Sequence, residues 1–489
     1  MNKYIGIDLG TSSVKILLVD SEGKILKTVS REYPVYYPQG GWSEQNPSDW
    51  YNATIDGLYE LICDADKKSI KGISFGGQMH GLVILDENDE VIRPAILWND
   101  GRTSKETSYL NEVIGTDKLM EYTANIAFAG FTAPKILWIK ENEPDNFARI
   151  KKIMLPKDYL AYKLSGVFAT DYSDASGMLL LDVKNRCWSE KMCEICSIKT
   201  DTLPTLFESY DKIGTLLPNI ADKLGLGEVV VAIGAGDNAG AAIGTGISSS
   251  GDCNISLGTS GTVFISQDTF VENKCGALHN FCHANGKYHL MGCILSAASC
   301  NKWWVEEILG SGDFRAEEDG LDMLIGKNNV YFLPYLMGER TPHNDVDAKG
   351  AFIGMRPSTT RKEMTLSVLE GVAYALRDSV ELAKASGCKI ESTKICGGGA
   401  KSEVWRKILA NVLGIPVVRP LIEEGPSYGG AILAMVASGE YANVNEATSK
   451  LAKVKDITYP TKEITDAYNE KYKIFKALYP ALKDAYKKI

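Results

Sequence analysis

The sequence predicts an α/β chain folded as two duplicated lobes around a central cleft, and three observations predict it. Its 489 residues exceed the roughly 250–300 over which a single hydrophobic core stops growing, so two large domains are expected. The segment YIGIDLGTSSVKIL (4–17) returns as CNISLGTSGTVFIS (253–266), with Leu-Gly-Thr-Ser identical at 9–12 and 257–260, an offset of 248 residues. Both copies keep the order strand, Gly-Thr-Ser turn, strand, which is the mark of an internal duplication. In the second half, short apolar strands alternate with helix-period stretches, the pattern of an α/β lobe. The expected division is an N-terminal lobe over 1–247, a C-terminal lobe over 248–445 and a helical tail over 446–489, with GISSSGD (246–252) as the connection between lobes.

Taken in order, Tyr4–Asp8, Val14–Asp20 and Lys24–Val29 alternate with period two around a Ser21-Glu22-Gly23 turn and read as a meander opening a sheet. The second lobe offers helices at Arg361–Ala385, Glu403–Leu413 and Tyr428–Ala437, with strands at Lys394–Cys396 and Pro416–Arg419. The last stretch, Thr461–Lys488, is rich in Lys, Tyr and Ala and reads as an exposed helical tail without chemistry.

Composition narrows the function. A net charge of -9 with no run of Lys and Arg argues against a nucleic-acid or anionic-membrane surface, so an anionic ligand must be gripped locally. No segment approaches the roughly 20 apolar residues that span a bilayer, and MNKYIGIDLG lacks a secretory h-region, so a cytoplasmic location is expected. Eleven scattered cysteines, an odd number, favour reduced core thiols. Cys193 and Cys196 form a C-x-x-C with no second pair and no nearby His, which reads as one face of a short helix rather than a metal or redox site.

Four motifs carry chemistry. At the first strand end, Gly10 permits a tight turn, the amides and hydroxyls of Gly10, Thr11, Ser12 and Ser13 can cradle a phosphate, and Asp8 can hold Mg2+ directly or through water. The second copy has Ser256 in place of Asp8, so two loops facing each other with one acid between them suit a single metal–nucleotide site.

GEVVVAIGAGDNAGAAIGTG (227–246) reads as strand, glycine turn and helix start. Gly234-x-Gly236-x-x-Ala239 also matches the dinucleotide fingerprint, but Asp237 stands where a pyrophosphate would approach and the helix is short. An acid at a helix start beside phosphate loops suits a general base toward an attacking hydroxyl.

In GGQMHGLVILDENDEVIRPAILWNDGR (76–102), His80 lies in a polar turn between strands, and Trp98, Asn99, Asp100 and Arg102 follow the second strand. Five polar or aromatic groups lining one pocket would suit a sugar or polyol. CGGGAKSEVW (396–405) places three glycines between a strand and a helix, where a planar ring can lie on the backbone; no G-x-x-x-x-G-K-[ST] is present.

With these motifs, the chain resembles the FGGY carbohydrate kinases from about residue 3 to 440, carried also by WSEQNP (42–47), GFTAPKILW (130–138), LPKDYL (155–160), LSAASC (295–300) and LPYLMGERTPH (333–343). The resemblance implies ribonuclease H-like, actin-like lobes, ATP and Mg2+ in the cleft, and transfer of the γ-phosphoryl to a sugar's terminal hydroxyl. It places the base on Asp237 and the metal-associated acids at Asp8 and Asp237. Thr11, Ser12, Lys15, Gly258, Thr259 and Ser260 are implied on the phosphate side, Gly398, Gly399 and Ala400 at adenosine, and Met79, His80, Trp98, Asp237 and Asn238 at the sugar. The Met79-His80 pair is similar to that of the xylulose-phosphorylating branch, whereas glycerol-phosphorylating members carry Arg-Glu. D-xylulose is therefore expected, with L-xylulose, D-ribulose or a related polyol left open. GPSYGGAILA (425–434) departs from the family's usual run of Ala and Gly, which bears on nucleotide positioning. A non-catalytic sugar-responsive regulator is the rival reading, disfavoured by Asp8 and Asp237 together. A homodimer, the commonest assembly of such enzymes, is neither required nor excluded.

Overall fold

The computed structural model describes residues 1–273 and 276–489. The N-terminal sheet opens with the meander: β1 (Lys3–Leu9), β2 (Ser13–Asp20) and β3 (Ile25–Glu32). After helix α1 (Pro47–Ile62), β4 (Ile70–Gly77) runs parallel to β1, with Asp8 opposite Gly76. Helix α2 (Pro156–Ser165) follows, then β5 (Lys212–Thr215), β6 (Val230–Ala232) and the two-residue β7 (Ala235–Gly236), which feeds helix α3 (Asp237–Thr245). The strand order is β5-β6-β4-β1-β2-β3, with β7 extending the pairing of β4.

The C-terminal sheet repeats the opening. The antiparallel hairpin β8 (Cys253–Leu257) and β9 (Gly261–Gln267) matches β1 and β2, and β10 (His279–Cys282) and β11 (Tyr288–Ile294) extend it on one side. Helix α4 (Arg361–Ala385) leads to β12 (Thr393–Cys396), parallel to β8 as β4 is to β1. Helix α5 (Glu403–Leu413), β13 (Val417–Pro420), helix α6 (Gly425–Ala437), β14 (Val454–Thr458) and helix α7 (Lys462–Tyr486) complete the chain. The order is β10-β11-β9-β8-β12-β13-β14.

The expected exposed tail is corrected here. Strand β14 pairs antiparallel with β13, and α7 buries Tyr468, Tyr472, Phe475, Tyr479 and Tyr486 in the core of the C-terminal lobe. Their spacing of four, three, four and seven residues makes one apolar stripe. Three of the Tyr hydroxyls find acceptors, Tyr468 on Glu370 at 2.7 Å, Tyr472 on Asp378 at 2.5 Å and Tyr479 on Asp345 at 2.6 Å, as buried phenols favour.

Among the contacts that join the lobes, two hold the backbone most closely. Helix α6 packs on the N-terminal sheet and crosses α3 at glycines: a Cβ on Gly429 would lie 1.9 Å from the Gly240 carbonyl oxygen, and one on Gly6 would lie 1.8 Å from that of Ser427. Only the missing side chains permit this approach, so GPSYGGAILA belongs to the lobe junction. Elsewhere, edge strand β10 is held by the N-terminal lobe: Asn125 exchanges hydrogen bonds with the Asn280 backbone at 2.8 and 2.9 Å, and the Cys282 N–H donates to the Ser176 hydroxyl. Cys193 and Cys196 are buried on the helix Glu190–Cys196, and among the described residues the cysteines are free. No helix among the described residues is long and apolar enough to cross a membrane.

Candidate active site

The first phosphate-type loop is rigid before any ligand arrives. Gly10 N–H closes the turn on the Ser13 carbonyl at 3.0 Å. The Gly10 carbonyl accepts from the Tyr33 hydroxyl, and the Thr11 carbonyl accepts from Gln45 Nε2 at 2.6 Å. Gln45 Oε1 in turn accepts from Trp50 Nε1 and Gln78 Nε2, both at 3.0 Å. Trp98 Nε1 donates to Thr11 Oγ1 at 3.0 Å, and Ser12 is exposed. With its carbonyls satisfied from behind, the loop presents N–H and hydroxyl groups, the polarity an anion needs. Tyr33, Gln45 and Gln78 escaped the sequence reading; Gln45 sat unexplained inside WSEQNP.

Lys15, directly across the hairpin from Asp8, pairs with Glu424 at 3.1 Å. Glu424, just ahead of α6, was also missed, because it lies more than four hundred residues from its partner. Asp8 is pushed up to about 7, first by burial, then by Asp237 and against the pull of Lys15.

Asp237 is the first residue of α3, and Asn238 donates to its Oδ1 from the backbone at 2.6 Å and from the side chain at 2.8 Å. Burial raises Asp237 to about 6 while these bonds pull it down. Its carboxylate already occupies a helix-start amide that a dinucleotide pyrophosphate would need, which removes the fingerprint reading. Asp8 and Asp237 are thus two carboxylates of one cleft, one near the acidic edge of neutrality and one at it. Behind them, fully buried Lys157 binds Asp158 at 2.6 Å and Asp171 at 2.8 Å and lies 3.6 Å from Asp174. Burial holds Asp174 well above the usual carboxylate range. The cluster reaches the start of α3 through Ser173, whose hydroxyl binds Asp171 and accepts from Gly236 N–H at 3.2 Å.

On the other side, Met79 is buried against Asn238, with its sulfur 4.0 Å from Asn238 Nδ2. His80 adopts φ 68°, stacks on Phe131 at 4.7 Å, and its Nδ1 lies 2.7 Å from the Gly177 carbonyl. A carbonyl only accepts, so Nδ1 carries the proton; burial lowers the imidazole to about 3, and neutral His80 keeps Nε2 as an acceptor. The His80 carbonyl is fixed by Thr132 and by buried Lys135.

The five-residue pocket expected from 80–102 is corrected in part. Asp100 and Arg102 are buried in an ion cluster with Glu44: Arg102 reaches Glu44 and Asp100 at 2.7 Å each and lies 3.7 Å over the Trp42 ring. They brace the loop rather than line the cleft, leaving Trp98 partly exposed beside Thr11 and Asn99 on the surface.

In the C-terminal lobe, Gly258 and Thr259 form a second loop, backed by Ala298 N–H on the Gly258 carbonyl at 2.8 Å, with Ser260 beside them. They border a cavity of about 1110 Å³ lined also by Phe314, Arg315, Gly398 and Gly399. Gly397 (φ 89°) has no room for a Cβ against Leu257, whereas Gly398 faces open space. Ala400 differs from expectation: it is buried, and its carbonyl accepts from Arg406 at 2.7 Å instead of facing the cavity.

Two sheets of matching topology, two glycine loops across a cleft, a nucleotide-sized cavity beside one loop and a buried carboxylate at a helix start beside the other define a two-lobed phosphotransferase. Two family profiles match the chain, the N-terminal domain of the FGGY family of carbohydrate kinases over residues 3–244 and its C-terminal domain over 253–438. The chain belongs to the FGGY family of carbohydrate kinases, and it is an ATP-dependent sugar kinase. It is 39% identical over 489 residues to a xylulose kinase of Bacillus subtilis, covering 99% of this chain and 98% of that one. Among solved structures, a "xyloylose kinase" from Brucella ovis superposes with a TM-score of 0.94 at 38% identity, covering 99% and 100% of the two chains. A gluconate kinase from Lactobacillus acidophilus superposes with a TM-score of 0.95 at 26% identity, covering 100% and 99%.

Proposed function

We propose that this enzyme transfers the γ-phosphoryl group of ATP to the terminal hydroxyl of D-xylulose, giving D-xylulose 5-phosphate, with Asp237 as the general base. The single observation that carries the base is the geometry at α3: Oδ1 of Asp237 is saturated by Asn238, which leaves Oδ2 to take the proton of the attacking hydroxyl. D-xylulose is supported by the full-length relative named a xylulose kinase and by the neutral Met79-His80 pair. The gluconate kinase shares the backbone at lower identity, so fold alone does not choose the sugar.

In this reading, the sugar lies against Met79, His80, Trp98 and Asn238. The triphosphate lies between the loops of Thr11, Ser12 and Lys15 and of Gly258, Thr259 and Ser260, with adenosine over Gly398 and Gly399. The Lys15–Glu424 pair leaves Lys15 on the phosphate side, already oriented. Asp8 and Asp237, close enough for one charge to raise the other, fit Mg2+, which commonly binds one or two carboxylates plus substrate phosphates and water. Bound there, Mg2+ would neutralise phosphate charge; positioning and charge stabilisation supply most of the acceleration in such transfers.

The test is coupled ADP release with D-xylulose, L-xylulose, D-ribulose, L-ribulose, glycerol and D-gluconate. A kcat/KM for D-xylulose about tenfold or more above the rest supports the assignment. Preference for another sugar keeps the kinase and refutes the acceptor, and silence with all six favours a non-catalytic regulator.

A further inference from the structure

Arg340 is a cation of the C-terminal lobe held at the sugar side of the cleft. Its neighbours bolt the backbone to β11: Glu339 Oε1 accepts from the N–H groups of Arg340 at 2.8 Å and Leu295 at 2.9 Å, and buried Thr341 donates from its N–H to the Cys293 carbonyl at 2.9 Å. From this anchor the side chain crosses to the N-terminal lobe, where the guanidinium lies 5.1 Å from the Phe128 ring. Phe128 packs on Phe131, the ring on which His80 stacks. Among the described residues no ion pair within 4 Å holds Arg340, unlike Arg93, Arg102 and Arg186 of the other lobe, although its charge acts on adjoining Glu339 and its side chain reaches the Cys293 thiol.

The field of this charge locates it along the pocket. After burial, Arg340 is among the groups that oppose protonation of His80 and His279. Through Phe128 and Phe131 the guanidinium lies beside the ring stack that carries His80, on the sugar side of the cleft.

The chemistry of a 2-ketopentose states what that end must supply. Its furanose ring closes through O5, so a free O5 hydroxyl exists only in the open-chain form, which carries a C2 carbonyl that can only accept. His80 presents Nε2 as an acceptor and cannot serve it. We propose that Arg340 recognises the open-chain ketose, its two parallel N–H groups donating to the C2 carbonyl oxygen and the neighbouring C1 hydroxyl. This inference rests on the ketopentose reading above and names the group that selects the ketone.

The experiment compares wild type, Arg340→Ala and Arg340→Lys with D-xylulose and with xylitol, which has a hydroxyl in place of the carbonyl, alongside thermal unfolding. For Arg340→Ala the KM for D-xylulose should rise about 30-fold with kcat and the KM for ATP each within about threefold of wild type, and the xylitol kcat/KM should fall by clearly less, since a C2 hydroxyl, unlike a carbonyl, can also be satisfied as a donor. Arg340→Lys should fall between, since an ammonium lacks the fork. A D-xylulose KM within about threefold of wild type, equal losses on ketose and polyol, or a rise in the KM for ATP instead would each overturn the inference. Wild-type turnover separates the two readings. No ketopentose activity in wild type sinks the proposed function and this inference with it, whereas ketopentose activity indifferent to Arg340 sinks the inference alone.

Discussion

Asn238 donates its backbone N–H and its side-chain amide to the same oxygen of Asp237, at 2.6 and 2.8 Å. The carboxylate is thereby split into an oxygen held by Asn238 and one left free of it, the oxygen proposed to take the substrate proton. Asp237→Asn keeps the shape and removes the proton acceptor, so turnover should fall to under about 1% while D-xylulose affinity stays within about tenfold, ~1.4 kcal/mol. Single-turnover ADP release and equilibrium sugar binding measure the two separately; a variant keeping more than a few per cent of the rate would remove Asp237 as base.

The same pair sets a pH dependence. A general base works deprotonated, so kcat/KM should rise with pH through about 6, the value to which burial lifts Asp237, and then level off. Asn238→Ala deletes a hydrogen bond that favours the charged carboxylate, so its acidic limb should move to higher pH. An unmoved limb would assign the titration to another group.

Lys157 is the one cation among Asp158, Asp171 and Asp174, all four side chains fully buried. Lys157→Met leaves the carboxyls without a counter-charge and should lower stability in urea unfolding by ~3–5 kcal/mol. Because buried unpaired carboxyls bind protons more tightly folded than unfolded, part of that loss should be regained as pH falls from 8 toward 5.

Glycines at two places should behave oppositely. Gly429→Ala puts a methyl 1.9 Å from the Gly240 carbonyl oxygen at the helix crossing, and overpacking there should cost at least ~1–3 kcal/mol. Gly398→Ala meets nothing within 4 Å; it should unfold like wild type yet raise the KM for ATP several-fold if adenosine covers that backbone. Thermal melts and ATP titrations distinguish them.

Phe475 on α7 is 1% exposed in the C-terminal core. Phe475→Ala should destabilise by ~3–5 kcal/mol, which calorimetry would detect as a lowered Tm. A true surface tail would show no change.

Local periodicity made the meander, α4 and α5 legible: Arg361–Ala385 and Glu403–Leu413 fall where their apolar spacing put them. The duplication was legible as well, since Leu-Gly-Thr-Ser recurs in the same strand-turn-strand setting, and so was Asp237, an acid in a glycine-rich helix start. Each of these signals lies within a few residues of chain. Asp100 and Arg102 carried a polar-pocket signal but neutralise one another beside Glu44, because composition names a group without saying which charge reaches it first.

The sequence by itself determined the two-lobed α/β plan, the loops and the acid at the start of α3, since turn chemistry and period are properties of neighbouring residues. Tertiary structure alone decided that the tail is core, that Ala400 turns inward to Arg406, that Glu424 holds Lys15, and that Arg340 crosses to Phe128 of the other lobe. An amphipathic stripe or an unpaired charge fixes what a residue needs; which surface answers it depends on segments hundreds of residues away, brought near only when the two sheets and the glycine crossing of α3 and α6 pack.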